Sequence, residues 1–294
     1  MTAADPSFAV CEFTTLPASF EEDLAAYVEA GADGIGICEI KLAEGREAEQ
    51  LASFRASGLT ATSCVPAVPS ILPLPHLPGP GRPEERVEAL RAGIRRVAPF
   101  GPTAVVCLTG PAGELGDDEA RRAVVEGLRA VAEEAGRAGI PVGLEPMSAN
   151  YQDGWTTIAT LAEAAELCEE VGAPNVGITF DTWHLWDTPD LLGEIERHAD
   201  RIVAVHVNDW REGTRGWCDR VLPGDGVADL PAMLRALHKA GWRGPYELEV
   251  FSDDGAFGSA YPDSLWAQDP ADVVRRGRDA FLRQWERAAV EARA

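Results

Sequence analysis

Four short apolar runs, 141–145, 176–181, 202–206 and 246–249, end at Glu145, Asp181, His206 and Glu249, each of which can hold a divalent cation. Strands of a parallel barrel that end in polar groups aim them all at one mouth. Two glutamates, an aspartate and one imidazole make a hard, oxygen-rich ligand set with a single nitrogen. Such a set suits manganese, magnesium, cobalt or zinc. Taken singly, a Glu or His at a strand end is more often a satisfied polar group than a ligand. Four on consecutive strands are another matter, because buried carboxylates without a cation repel one another and resist ionisation. The pattern reads as a metal-dependent enzyme with one divalent ion.

Alternation along the strands supports that placement. If Glu145 points into the barrel, so do Gly143 and Pro141; Thr179 and Gly177 go with Asp181, and Ala204 and Ile202 with His206. Small residues beneath the ligands leave room where a barrel is crowded. Glu247 and Glu249 share a face. Glu249 lies nearer the mouth and is taken as the ligand, whereas Glu247 sits one layer deeper and needs a partner. His184, three residues past Asp181, hangs over the same mouth. Arg211 and Arg215 follow His206, and an arginine reaching back would bind a substrate oxygen or phosphate, Arg211 being the nearer. Six of the eight tryptophans, at 155, 183, 186, 210, 217 and 266, follow the fifth to eighth strands. Flat aromatic surfaces suit sugar faces or an aromatic substrate, with Trp183 beside His184 as the foremost contact; core filling claims at least half of them. The segment 222–230 reads as a glycine turn entering a helix, which needs no function to explain it.

Elements able to position these groups alternate along the whole chain. Strands are expected over 8–13, 34–38, 59–65, 104–108, 140–145, 176–181, 202–207 and 246–250, and helices near 19–30, 46–57, 83–98, 117–138, 156–172, 188–199, 228–240 and 271–290. Eight β-then-α units in 294 residues are the arithmetic of a single TIM (β/α)8 barrel spanning 1–294. A doubly wound sheet would carry a glycine-rich phosphate turn after its first strand, and residues 13–17 hold no glycine. The proline-rich stretch 66–83 reads as a stiff loop over the mouth.

Composition narrows the partners. Twenty-six basic residues against 48 acidic ones leave a net charge of −22, which repels nucleic acid. No run reaches the roughly 18 apolar residues of a membrane span. The opening six residues lack a basic region followed by an apolar one, so no leader and a cytoplasmic location are expected. The six cysteines lack CxxC spacing, and Cys11, Cys38, Cys64 and Cys107 fall in apolar strands as reduced, buried thiols.

The segments ending at Glu145 and Asp181, the pair Asp181 and His184, the run 205–209, the turn 222–227 and the run 248–251 resemble the xylose isomerase-like TIM-barrel superfamily of sugar isomerases and epimerases. The resemblance is sharp from Val142 to Phe251. It implies that Glu145, Asp181, His206 and Glu249 bind one metal, commonly manganese, cobalt, magnesium or zinc, that His184 touches a substrate oxygen, and that barrels of this kind often pair as homo-oligomers. The superfamily includes an apurinic endonuclease branch, which needs further histidines for a three-zinc cluster. Val221 stands where that branch has a histidine, residues 37–40 and 63–66 supply none, and the acidic charge also argues against DNA repair.

Sugar chemistry then follows. A divalent ion chelating a carbonyl and a neighbouring hydroxyl would acidify the C–H between them, and Glu145 and Glu249 would remove and return that proton through an enediolate. The leading expectation is an isomerase or epimerase of a small-molecule sugar or cyclitol. A dehydratase or lyase of a keto-sugar or keto-inositol shares the first step, and a non-catalytic carbohydrate-binding subunit is the third reading. The paired acid and base argue against that third reading, since binding alone needs no such pair.

Overall fold

Eight parallel strands close into a barrel in the computed structural model, which describes residues 6–291. The opening segment read as lacking a leader lies, through Asp5, outside the described residues. The barrel strands are β1 (Phe8–Cys11), β2 (Gly34–Cys38), β3 (Thr60–Val65), β4 (Ala104–Cys107), β5 (Val142–Leu144), β6 (Val176–Asp181) and β7 (Ile202–Val207), closed by β10 (Tyr246–Leu248) between β7 and β1. Two further two-residue strands, β8 (Asp209–Trp210) and β9 (Arg220–Val221), pair antiparallel as a ribbon above the mouth. Outside the barrel lie α1 (Phe20–Glu29), α2 (Glu47–Ser57), α3 (Pro83–Val97), α4 (Asp117–Arg137), α6 (Leu161–Val171), α8 (Leu191–His198), α9 (Leu230–Lys239) and α10 (Pro270–Glu291). Two single turns, α5 (Gln152–Trp155) and α7 (Thr182–Leu185), sit at the mouth.

Strand residues facing outward, such as Val105, Leu144, Ile178 and Val205, bury themselves under apolar helix faces in one continuous core. Helix starts follow local chemistry. Ser19 and Glu22 form a reciprocal capping box at α1, and Thr160 and Glu163 do so at α6. The second box explains why α6 begins at Leu161 and not near 156: Thr156 and Thr157 are occupied with Thr109, whose hydroxyl meets Thr156 Oγ1 at 3.1 Å and accepts from Thr157 N at 2.8 Å. Among the described residues no helix is long and apolar enough to cross a membrane. All six cysteines are buried free thiols.

Packing inside the barrel mouth is set by glycine. An added Cβ at Gly36 would lie 1.8 Å from Glu247 Oε1, and one at Gly143 would lie 2.2 Å from Thr179 Oγ1. Glu247 thus has room one layer below Glu249, with the partners it needs: Thr62 Oγ1 donates to its Oε2, Ser63 N to the same atom at 3.0 Å, and Ser63 Oγ to Oε1 at 2.7 Å. Gly36→Ala is expected to destabilise by about 1–3 kcal/mol, as overpacked cores do. Thermal unfolding should show a melting temperature lower by several degrees; an unchanged value would mean that Glu247 moves aside freely.

Residues 66–82 fold over the mouth as a loop, and Pro83 begins α3. Arg86, which is 1% exposed, fastens it by donating to Ser70 O (3.1 Å), Ser70 Oγ (2.7 Å) and Pro80 O (3.1 Å).

Candidate active site

Strand register delivers the four expected ligands to one point. Asp181 and His206 are paired residues on β6 and β7, and His206 pairs with Glu247 on β10, which Glu249 follows one layer higher. Glu145 follows β5, its N–H donating to Cys107 O at 3.0 Å. One ligand atom from each of Glu145, Asp181, His206 and Glu249 lies within 4.8 Å of the others, and all four residues are buried. His206 Nδ1 is 3.3 Å from Glu145 Oε1 and 3.5 Å from Glu249 Oε2.

Proton positions test whether these atoms fit a cation. Ser63 Oγ donates to Glu247, so its lone pair is left to accept from His206 Nε2, 3.4 Å away. That places a proton on Nε2 and leaves Nδ1 facing two carboxylate oxygens; burial lowers the pKa of the ring, but Glu249 and Glu145 outweigh it and hold it well above the usual imidazole range. Neither His206 Nδ1 nor Glu145 Oε1 has a hydrogen-bond partner, although both are buried. A lone pair facing carboxylates is repulsive, so either a second proton or a cation belongs among these atoms. Three ligand carboxylates against one guanidinium, that of Arg220, leave a doubly negative surplus that a divalent ion balances. The residues fit one such ion.

The acid–base character of the two glutamates diverges. Burial pushes Glu145 up to about 7, against the pull of His206. Burial also raises Glu249, but His206 and Arg220 outweigh it and hold the carboxyl below its usual range. Asp181 is tied down differently: its Oδ1 accepts from Trp183 N (2.7 Å) and Asn208 Nδ2 (3.1 Å), its Oδ2 from Arg220 Nη1 (2.9 Å). Asn208 also donates to the Glu249 carbonyl at 2.8 Å, so one amide couples two of the ligand-bearing strands.

Arg220 is the residue that the sequence reading missed. Its Nη1 bridges Asp181 Oδ2 and Glu249 Oε2 (2.9 and 3.0 Å), and its guanidinium lies between the rings of Trp183 and Phe251, 4.7 and 4.5 Å from their centroids. Aromatic faces on both sides fix its plane. Arg211, expected to bind a substrate oxygen or phosphate, is placed elsewhere. It pairs with Asp219 and Asp263, as does Arg215, and neither lines the cavity.

His184 does reach the cavity wall, together with Trp183. Ser148 N–H donates to His184 Nδ1 at 3.0 Å, which places the ring proton on Nε2. Burial and then Arg220 hold the imidazole neutral by lowering its pKa. Nε2–H faces Arg220 Nη2 at 3.3 Å, donor against donor, and stands 3.9 Å from Asp181 Oδ2. That proton is available to an incoming oxygen.

Above these groups opens a cavity of about 280 Å³, near the low end for small-molecule sites. Glu145, His184, Arg220 and Glu249 form its polar part, while Asp181 and His206 are fully buried. Of the six tryptophans singled out, Trp155, Trp183 and Trp217 line it. Trp186 and Trp210 pack behind Trp183, and Trp266 packs against Phe251 and Phe257.

A family model described as xylose isomerase-like TIM barrel matches residues 24–289. Inosose isomerase of Halalkalibacterium halodurans is 29% identical over 137 residues, covering 45% of this chain and 47% of that protein. L-ribulose-5-phosphate 3-epimerase UlaE of Escherichia coli K12 is 28% identical over 165 residues, covering 55% of this chain and 50% of that protein. The chain thus spans about half the length of the curated relatives it matches. Among solved structures, protein SMc04130 of Sinorhizobium meliloti 1021 superposes with a TM-score of 0.81 over 94% of this chain and 98% of that one, at 28% identity.

Proposed function

This chain belongs to the xylose isomerase-like TIM-barrel family, and from that premise we propose that it is a divalent-metal-dependent isomerase or epimerase of a sugar or cyclitol, working through an enediolate. The observation that carries the reading is the convergence of Glu145 Oε1 and Glu249 Oε2 on Nδ1 of His206 at the edge of a closed-in cavity. The similarity to an inosose isomerase and to a ribulose-phosphate epimerase supports the same class of chemistry.

Glu145, Asp181, His206 and Glu249 would hold the ion, with manganese, cobalt, magnesium and zinc all suited to the donor set. When bound, it supplies Lewis-acid polarisation of a substrate carbonyl, which acidifies the adjacent C–H. The chain's own groups do the rest. One of the two glutamates takes the proton from carbon, the C–H electrons form a carbon–carbon double bond as the carbonyl π electrons move onto oxygen, and the substrate becomes an enediolate. Return of a proton to the opposite face of the same carbon inverts it; delivery to the neighbouring carbon moves the carbonyl. His184 donates from Nε2 to a substrate oxygen, and Arg220 holds the Asp181 and Glu249 carboxylates in place. Loss of a β-substituent from the same enediolate would instead give a dehydratase or lyase, a reading to which the aromatic wall of the cavity lends weight.

Six buried free thiols accord with a reducing compartment, and we place the enzyme in the cytoplasm. The test is incubation of the metal-loaded protein with a panel of keto-sugars and inososes in D2O. Mass spectrometry is expected to show deuterium entering one carbon-bound position of at least one of them, and the product mass separates isomerisation from elimination. No incorporation across the panel would overturn the reading.

A further inference from the structure

The walls of the cavity are unlike its polar part. Apart from Glu145, His184, Arg220, Glu249 and the Tyr151 phenol, the side chains lining it are apolar. Part of the lining is proline and aliphatic, with Val65, Pro66, Pro69 and Leu77 brought in by β3 and the loop after it; the rest is largely aromatic, with Phe13, Trp155, Trp217, Phe251 and Phe257. A simple sugar presents hydroxyls in every direction, and each one pressed against these walls would lose water without gaining a partner. A phosphate would fare worse. Among the described residues lining the cavity Arg220 is the only arginine, no lysine joins it, and its charge already meets Asp181 and Glu249.

The aromatic side is arranged as a receptor for another ring. Trp217 lies 5.0 Å from Trp155 at 58° and 5.0 Å from Phe257 at 64°, while Phe13 stacks on Phe251 at 4.7 Å. Rings clustered in this way present faces and edges against which a further flat group can pack. At the rim, Ile40 and Phe257 remain 55% and 40% exposed although both are large and apolar. They carry the apolar surface outward, continuous with the polar groups beneath.

We infer that the substrate is a keto-alcohol ring bearing an aryl or similarly flat apolar substituent, of the aryl-glycoside kind, and not a free or phosphorylated sugar. The ring sits over the polar groups and the aryl arm lies between the proline and aromatic walls. The assignment of the keto-alcohol part rests on the function proposed above; the assignment of the arm rests on the walls alone and can be tested without turnover.

Calorimetric titration of the metal-loaded full chain with phenyl β-D-glucoside, methyl β-D-glucoside and glucose 6-phosphate makes that test. Phenyl glucoside is expected to bind ten- to a hundredfold tighter than the methyl glycoside, the gain from burying one aromatic ring, and the phosphate no tighter than the methyl glycoside. Phe257→Ala, on an exposed loop whose truncation spares the barrel, should shrink the phenyl advantage several-fold, and Trp217→Ala should shrink it further. A phenyl glucoside that binds no tighter than the methyl one, or not at all, overturns the inference, as does preferred binding of the phosphate. A concentration-dependent dimer abolished by Phe257→Ala would also overturn it, by making the rim an interface between two copies of the chain. Deuterium exchange on the corresponding keto-glucosides judges the enzymatic reading separately. A phenyl preference without exchange sinks that reading alone; exchange without a phenyl preference sinks this inference alone.

Discussion

Protein purified without chelator is expected to carry about one equivalent of divalent metal per chain, and His206→Ala less than a tenth of that. His206 contributes the only nitrogen of the cluster, and its Nδ1 is the atom on which Glu145 and Glu249 converge. Without it, three carboxylates remain around Arg220, whose guanidinium already partners two of them, so the ion loses both a ligand and the geometry that holds the glutamates apart. Because His206 is fully buried, a variant that spares the ring is a useful companion. Ser63→Ala removes the oxygen that accepts from His206 Nε2 and leaves the ligands intact. Losing such a partner behind a ligating imidazole weakens metal binding by about 10–100-fold. Elemental analysis by mass spectrometry, with circular dichroism as a check on folding, reads both variants. Full metal retention in His206→Ala would remove these residues from the role of ligands, and close to three zincs in the unmodified protein would revive the endonuclease reading.

The barrel was legible because its signals are local. Most strands are short apolar runs, most of the outer helices carry an apolar face, and eight repetitions leave few other architectures. The strand ends were legible for the same reason: a period of two puts Glu145 above Gly143 and Asp181 above Thr179, and the structure keeps both stacks. Glu247 was equally open to this reasoning, which left it in need of a partner and could not name Thr62 and Ser63, more than 180 residues away.

Arg220 shows where local reasoning stops. Nearness in sequence favoured Arg211, five residues past His206, but the chain turns at β8 and hands Arg211 and Arg215 to Asp219 and Asp263. Arg220 returns on β9, in a ribbon only two residues long. A weak signal was present: Arg220, beside Asp219 and between Cys218 and the apolar pair Val221 and Leu222, stands in a largely apolar stretch, where a buried arginine needs a carboxylate partner. The tryptophans divide in the same way, since nothing in the sequence tells those facing the cavity from those packed behind Trp183.

Glu145→Gln is expected to lower deuterium exchange by about 10²- to 10⁴-fold, the usual contribution of a positioned acid or base, while leaving the fold intact. The amide matches the carboxylate in size, and the side chain it replaces has little to lose: Glu145 Oε1 is buried without a hydrogen-bond partner, and its burial already pushes the acid up to about 7. Circular dichroism and the melting temperature should therefore match those of the unmodified protein. Glu249→Gln should cost exchange to a similar degree and stability as well, because Arg220 Nη1 would lose one of its two carboxylates in a fully buried setting. Metal content has to be followed in both variants and restored with excess ion, since each glutamate is also placed as a ligand. A metal-replete Glu145→Gln protein that still exchanges at the full rate would leave Glu249 as the only proton-transfer group. One carboxylate can return a proton only to the face it came from or to a neighbouring carbon on that face, so inversion would then be excluded and aldose–ketose isomerisation would remain. The same variant therefore tests the role of Glu145 and discriminates between the two outcomes of a shared enediolate.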